Sequence, residues 1–221
     1  MMRRLKYLIP PLFFIFLVGC SGMEKLKTEN AALKSKVSEL EQVKKDYSDK
    51  LQATQQQSEQ EQARLREELE QLRTELNEKL QEQISENQAL VEKIEDLTVI
   101  SIGEEALFGS GLADLTRDGA ETIRQMSEAL ANYPDYYIRV EGHTDDLPVG
   151  KNLKTRFASN WELSTARATS VVRYMIYGLQ IDPQRLSAAG FAQYRPAADN
   201  DSREGRAANR RIRVVVFRVQ Q

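Results

Sequence analysis

Apolar positions in the first hundred residues recur at alternating steps of three and four. After an apolar run from Leu8 to Val18, Leu26, Leu33, Val37, Leu40, Tyr47 and Leu51 share this spacing with Asn30 and Lys44. Leu65, Leu69, Leu72 and Leu76 repeat it, and Leu80, Ile84, Asn87, Val91 and Ile94 resume it after a one-residue skip. Sustained 3-4 spacing predicts a helix whose apolar seam needs a partner, a coiled coil. No Gly or Pro lies between Met23 and Ile102, and good helix formers dominate residues 23–97. Between Gln52 and Gln62 the seam lapses into polar residues, which marks a weakly paired stretch. Helical throughout, 23–97 would reach about 110 Å at about 1.5 Å per residue, a length suited to a spacer.

From Thr98 onward Gly, aromatic and β-branched residues enter, and short apolar runs interrupt the helical period. Leu97–Ile102 reads as a strand leading to Ala106-Leu107-Phe108. Thr116 can cap a helix reaching about Asn132, with Ile123, Met126, Leu130 and Tyr133 on one face and Pro134 ending it. Tyr136–Glu141 is a strand, and residues 142–159 form a polar loop. Ser159 and Glu162 fit a capping box for a second helix, whose apolar face includes Ala168, Val171, Val172, Met175, Ile176 and Leu179. Gly178 marks its end, and Leu186–Ala192 and Ile212–Val219 are further strands. Residues 98–221 are therefore expected to form an α+β two-layer sandwich, a mixed four-stranded sheet covered by helices, preceded by the long α-helical coiled coil at 23–97.

Charge narrows the function. The 221 residues hold 31 Lys+Arg and 33 Asp+Glu, a net of −2, which argues against a dedicated nucleic-acid binder. The coiled-coil segment carries 12 basic and 18 acidic residues, net −6, whereas residues 98–221 carry 16 and 15, net +1. One Cys and one His exclude a disulfide framework and a Cys/His zinc cage, so no metal or cofactor is expected.

The N-terminus carries a targeting pattern. Arg3, Arg4 and Lys6 precede the apolar run, as in a secretory signal over residues 1–19. The uncharged stretch from Tyr7 to Cys20 falls short of the ~18 apolar residues of a spanning helix, and it contains Pro10 and Pro11. Leu17-Val18-Gly19-Cys20-Ser21 resembles a bacterial lipobox. That resemblance implies a diacylglycerol thioether on Cys20, cleavage before it, and an acylated N-terminus at 20–22. Membrane attachment would follow, since burial contributes about 0.8 kcal/mol per CH₂. Ser21 in place of Asp resembles lipoproteins sorted to the outer membrane, which implies its periplasmic face.

Ordered motifs identify the C-terminal part. Val140-Glu141-Gly142-His143-Thr144-Asp145, then Asn160 through Leu163-Ser164 to Arg167-Ala168, then Gly190, then Gly205-Arg206 and Asn209-Arg210-Arg211 resemble the OmpA-like peptidoglycan-binding domain over nearly all of 98–221. The stretches D-D-L-P-V and S-N-W-E-L-S-T-A-R look most like the MotB subgroup of flagellar stators. Stators carry a membrane helix with a proton-accepting carboxylate, and residues 7–20 contain no acid.

The resemblance implies a non-enzymatic domain that binds the wall peptide stem through diaminopimelate. That ligand's free end is a zwitterion, which calls for a carboxylate and a guanidinium a few ångströms apart. By resemblance Asp145 supplies the anion, next to Thr144 in the motif, and Arg167 the cation. The forked guanidinium suits a carboxylate in a way that Lys does not. Asn160 is expected to fix ligand and loop, Arg210 to brace the pocket, and Arg206 and Asn209 to contact ligand or loop. Without the surrounding motifs, an Asp–Arg pair would read as a salt bridge. His143 beside Asp145, with Ser159 or Ser164 on the next element, invites a hydrolase reading. In the family that position is mainly structural, so no catalytic residue is expected.

The expected protein is thus an outer-membrane lipoprotein tethering membrane to peptidoglycan. The alternative is a wall-anchoring part of an envelope machine, a MotB-like stator or a secretion system. Expected partners are peptidoglycan, the membrane through acyl chains, and further copies of the chain through the coiled coil.

Overall fold

The computed structural model describes residues 12–94, 97–151 and 153–218, and side chains from residue 22 onward. Most of the expected signal peptide, and the Cys20 side chain, lie outside the described residues. The chain divides into two compact units, Met1–Gln62 and Ala63–Gln221. A single helix, α1 (Leu12–Lys79), contributes to both. In the first unit its seam is bare: Leu26, Leu33, Val37, Leu40, Tyr47 and Leu51 are 53–71% exposed.

The second unit continues from α1 into α2 (Gln81–Ser85), β1 (Ala89–Ile94), β2 (Leu97–Gly103), α3 (Glu104–Leu107) and α4 (Arg117–Ala131). Then follow β3 (Tyr137–Gly142), α5 (Asn160–Tyr177), a 3-10 turn at Pro183–Arg185, β4 (Leu186–Gly190), α6 (Arg203–Asn209) and β5 (Arg211–Phe217). The sheet order is β1-β2-β5-β3-β4, antiparallel except for β3–β4. That parallel pair needs a crossover, which α5 supplies. Ile138 and Val140 of β3, Ile212, Val214 and Val216 of β5 and Ile100 and Ile102 of β2 face one core with α4 and α5.

Two expectations are corrected. The sheet has five strands rather than four, because residues 89–94, expected to continue the coiled coil, form β1. The helical path breaks at Leu80, and Asn87 adopts φ 57°, a left-handed conformation that Asn tolerates. Strand alternation then buries Ala89 and half-buries Val91 while Leu90 stays exposed, paired antiparallel to β2 from Ala89↔Ile102 to Ile94↔Leu97.

The second correction concerns the leucine seam after residue 63. Leu69, Leu72, Leu76 and Leu80 are 9% exposed or less and pack into the core with Ile100, Ile123 and Met126. Polar ties border that packing. Lys93 pairs with Glu70 at 3.0 Å, and the Tyr133 hydroxyl donates to Glu75 at 3.1 Å. Burial and the Glu75 carboxylate push Tyr133 up to about 12. This seam finds its partner within its own chain.

The helices bracketing the site start where the sequence places them. The Thr116 hydroxyl accepts from Gly119 N at 3.0 Å, and the Ser159 hydroxyl accepts from Trp161 N at 3.1 Å while donating to Glu162. Gly142 and Gly190 sit opposite each other at the ends of β3 and β4, under the first turns of α5. A Cβ on Gly142 would lie 2.1 Å from Ser164 O, and one on Gly190 2.2 Å from the Thr165 hydroxyl. Their bare backbones let α5 lie close against the strand ends, where the motif residues gather.

Candidate functional site: an alternating charge cluster at the strand ends

Four ionic side chains from four segments converge beyond the sheet. Asp145 follows β3, Arg167 lies on α5, Arg210 precedes β5 and Glu104 opens α3. Arg210 is the hub. Its Nη1 donates to Asp145 Oδ2 at 3.0 Å, its Nε to Glu104 Oε1 at 3.0 Å, and its Nη2 to exposed Glu105 at 3.1 Å. Glu104 Oε2 accepts from Arg167 Nη1, and Arg167 Nε donates to Leu112 O at 3.0 Å. The Arg167 guanidinium also stands 5.5 Å from the Phe108 ring centroid. Charges therefore alternate along Asp145, Arg210, Glu104 and Arg167.

Asp145 and Arg167, expected as the two poles of the site, belong to one cluster but do not touch directly. Arg210 and Glu104 stand between them, so the bracing role expected of Arg210 has a geometric counterpart. Burial lowers Arg167, whose side chain is 4% exposed, from the ordinary guanidinium value; Glu104 opposes that fall. For Arg210 burial also acts downward, but Asp145, Glu104 and Glu105 outweigh it and raise the group. Both arginines remain cationic because a guanidinium is not deprotonated in a protein.

Neighbouring residues hold the loop bearing Asp145. Asp145 Oδ1 accepts from Leu147 N at 3.1 Å, and buried Asn160 donates to Leu147 O at 3.0 Å, Asp145 O at 3.3 Å and Gln193 Oε1 at 3.3 Å. Thr144 is buried, donating its hydroxyl to Asp145 O at 2.9 Å and its amide to Ala192 O at 2.9 Å. Phe157, Val149, Leu163 and Ala113 form a small apolar cluster separate from the main core.

Two expected residues lie outside the charge cluster. Asn209 is fully buried and spends both amide atoms on residues 197–200: its oxygen accepts from Ala197 N and Ala198 N, and its nitrogen donates to Ala198 O and Asn200 Oδ1. Arg206 donates to Asn200 O. Both fold the loop before α6. Glu104, in contrast, belongs to the cluster and was missed in the sequence. The signal for it was charge balance: one buried and one half-buried arginine against a single Asp call for a further acid.

His143 is buried and stacks on Phe191 at 5.4 Å between ring centroids, with Glu141 Oε2 3.7 Å from Nε2. Burial pushes the imidazole below its ordinary value; Glu141 opposes this, and Arg211 and Arg213 reinforce it. Burial acts to raise Glu141, but His143, Arg139 and Arg213 hold it below the usual carboxylate range. Above about pH 6.5 the imidazole is neutral in both folded and unfolded chains. Below that, the unfolded chain takes up a proton that the folded one refuses. Stability should then fall by up to about 1.4 kcal/mol per pH unit until the folded value is reached. Melting temperature should drop between pH 7 and 5.5, and His143→Gln should flatten that drop.

The mixed sheet with its β3–α5–β4 crossover carries an acid after β3 and a buried Arg on α5. Residues 107–210 match the OmpA family and form an OmpA-family domain. Motility protein B of Bacillus subtilis is 31% identical over 151 residues, 68% of this chain and 57% of its own. A MotB-like protein from Desulfovibrio vulgaris superposes with a TM-score of 0.65 at 29% identity, covering 72% of this chain and 97% of the other. The cell wall anchor of the T6SS from Pseudomonas aeruginosa gives 0.59 at 32% identity, covering 65% and 97%. Other relatives include outer-membrane proteins and lipoproteins. The chain spans about half the length of the first two curated relatives, 57% and 47%.

Proposed function

We propose that this chain is a non-enzymatic, lipid-anchored envelope protein that binds peptidoglycan through the diaminopimelate of its peptide stem. The observation carrying the reading is the run of alternating charges ending in Asp145 and Arg167, a pattern complementary to a zwitterion. The ligand ammonium takes a place beside Asp145, and its carboxylate shares Arg167 with Glu104. Glu104 holds Arg167 through Nη1 and Leu112 O holds it through Nε, so the ligand carboxylate is received by Nη2 of the same fork. Asn160 and Thr144 support this by fixing the loop on which Asp145 stands.

Acylation at Cys20 attaches the chain to the outer membrane at its periplasmic face, and the OmpA-family domain holds the wall. No helix among the described residues is long and apolar enough to cross a membrane. A second reading, a wall-anchoring part of an envelope machine, is favoured by the likeness to Motility protein B and to the T6SS anchor. It uses the same site and differs in the protein partners recruited. The test combines two readouts on the full chain. It should pellet with purified peptidoglycan, and a fatty-acid probe should label it but not the Cys20→Ala form. A chain left in the supernatant would contradict the wall reading, and a labelled Cys20→Ala band would contradict the anchor.

A further inference from the structure

The two leucine seams of α1 meet different fates. The one after residue 63 is absorbed by the domain core, whereas that of residues 23–51 is bare. We propose that residues 23–51 of α1 pair with a second copy of this chain as a parallel, in-register, two-stranded coiled coil.

The heptad assignment follows from the spacing. Steps of four lead from d to a and steps of three from a to d, so Leu26, Leu33, Leu40 and Tyr47 occupy d. Met23, Asn30, Val37, Lys44 and Leu51 then occupy a. Leu at d with a β-branched Val and a single Asn among the a positions is the pattern that favours two parallel strands. The flanking charges agree. In a parallel pair each g residue faces the following e residue of the other copy, which matches Glu29 with Lys34 and Lys36 with Glu41. Each contact occurs twice by symmetry, and each joins opposite charges.

Charge alone leaves the direction open, since an antiparallel pair would set Glu29 against Lys50 and Lys34 against Glu41. The a positions decide it. In the antiparallel register Asn30 faces Tyr47 and Lys44 faces Leu33, so an amide and an ammonium meet ring and aliphatic surface. In the parallel register Asn30 meets Asn30, and the two amides can satisfy each other. A slip of one heptad would set Asn30 against Val37, so the same residue fixes register. Lys44 facing Lys44 weakens the pair and disfavours higher oligomers, in which the a layer is more enclosed.

The dimer stands on residues 23–51 alone and does not depend on the wall reading. Where both hold, both OmpA-family domains follow the coil from its same end, and one dimer grips the polymeric wall at two points. Linked binding of that kind can raise avidity by about 10²–10⁴ when linker geometry allows both sites to engage.

Single-cysteine cross-linking of the full chain tests the proposal, with Cys20→Ser removing the native thiol. Leu26→Cys and Leu33→Cys should each form a disulfide-linked homodimer in most of the chain under mild oxidation. Adding Leu40→Glu should reduce linking severalfold while leaving the melting of the C-terminal unit unchanged. Linking only when Leu26→Cys and Leu51→Cys chains are mixed would overturn the parallel geometry. No linking by any of these variants would leave the helix single and overturn the dimer.

Discussion

Asp145→Asn and Arg167→Lys should each abolish most peptidoglycan binding while leaving the protein folded. Asn at 145 keeps an oxygen to accept from Leu147 N but loses the charge that meets an ammonium. Lys at 167 keeps a cation for Glu104 but loses the fork that can serve Glu104 and a ligand carboxylate together. Truncating one side of a desolvated charge pair costs about 2–5 kcal/mol, a loss of roughly 30-fold to several thousandfold in affinity. The double variant should bind little worse than either single one, because the two groups hold opposite ends of one ligand. Alanine is the wrong probe at 167: Arg167 is buried against Glu104, and removing it breaks a buried ion pair, at a cost of about 3–5 kcal/mol to the fold itself. Thermal melting alongside binding separates the two effects.

Leu72→Glu should strongly destabilise the C-terminal unit, although position 72 lies in what reads as a coiled-coil spacer. Its side chain is fully buried in the domain core. Truncating a buried Leu costs about 2–5 kcal/mol, and a carboxylate there adds a desolvation penalty. For a unit of this size each kcal/mol lowers the melting temperature by about 2–4 °C, so a fall of ten degrees or more is expected. Leu33→Glu, on an exposed stretch of the same helix, should leave that melting unchanged. By the same argument a fragment beginning at residue 98 lacks β1 and the α1 tail. It should expose the core surface that Leu69, Leu72, Leu76 and Leu80 cover, and should aggregate. Calorimetry or circular dichroism on these proteins checks both statements.

The sequence is legible where local chemistry decides. Thr116 and Ser159 cap their helices, and Gly178 ends α5. Residues 80–97 are misleading because nothing there breaks a helix: Asn87 turns the chain without Gly or Pro, and Val91 and Ile94 keep helical spacing inside a strand. Tertiary pairing with β2 overrides local propensity there. One trace was visible, since the one-residue skip in the seam coincides with the break at Leu80. Which seam faces its own domain and which stays bare is a tertiary fact, and both read alike in one dimension. The site divides in the same way. Asp145, Arg167 and Arg210 were named by their motifs, while Glu104 lies in a Glu-Glu pair after β2 with no motif around it. Asn209 and Arg206 share a motif with Arg210, but their side chains are committed to the loop at 197–200. Of the two contacts expected of them, ligand or loop, the structure shows the loop.

The most direct test is a calorimetric titration of the full chain with a soluble stem peptide ending in diaminopimelate. The comparison ligand is the same peptide with the free diaminopimelate carboxylate amidated. The chain should bind the first and lose at least about thirtyfold affinity for the second, with Arg167→Lys reducing the difference between them. Equal binding of both peptides, or binding to the first unchanged in Asp145→Asn and Arg167→Lys, would show that this charge cluster serves the fold and that the wall is held elsewhere.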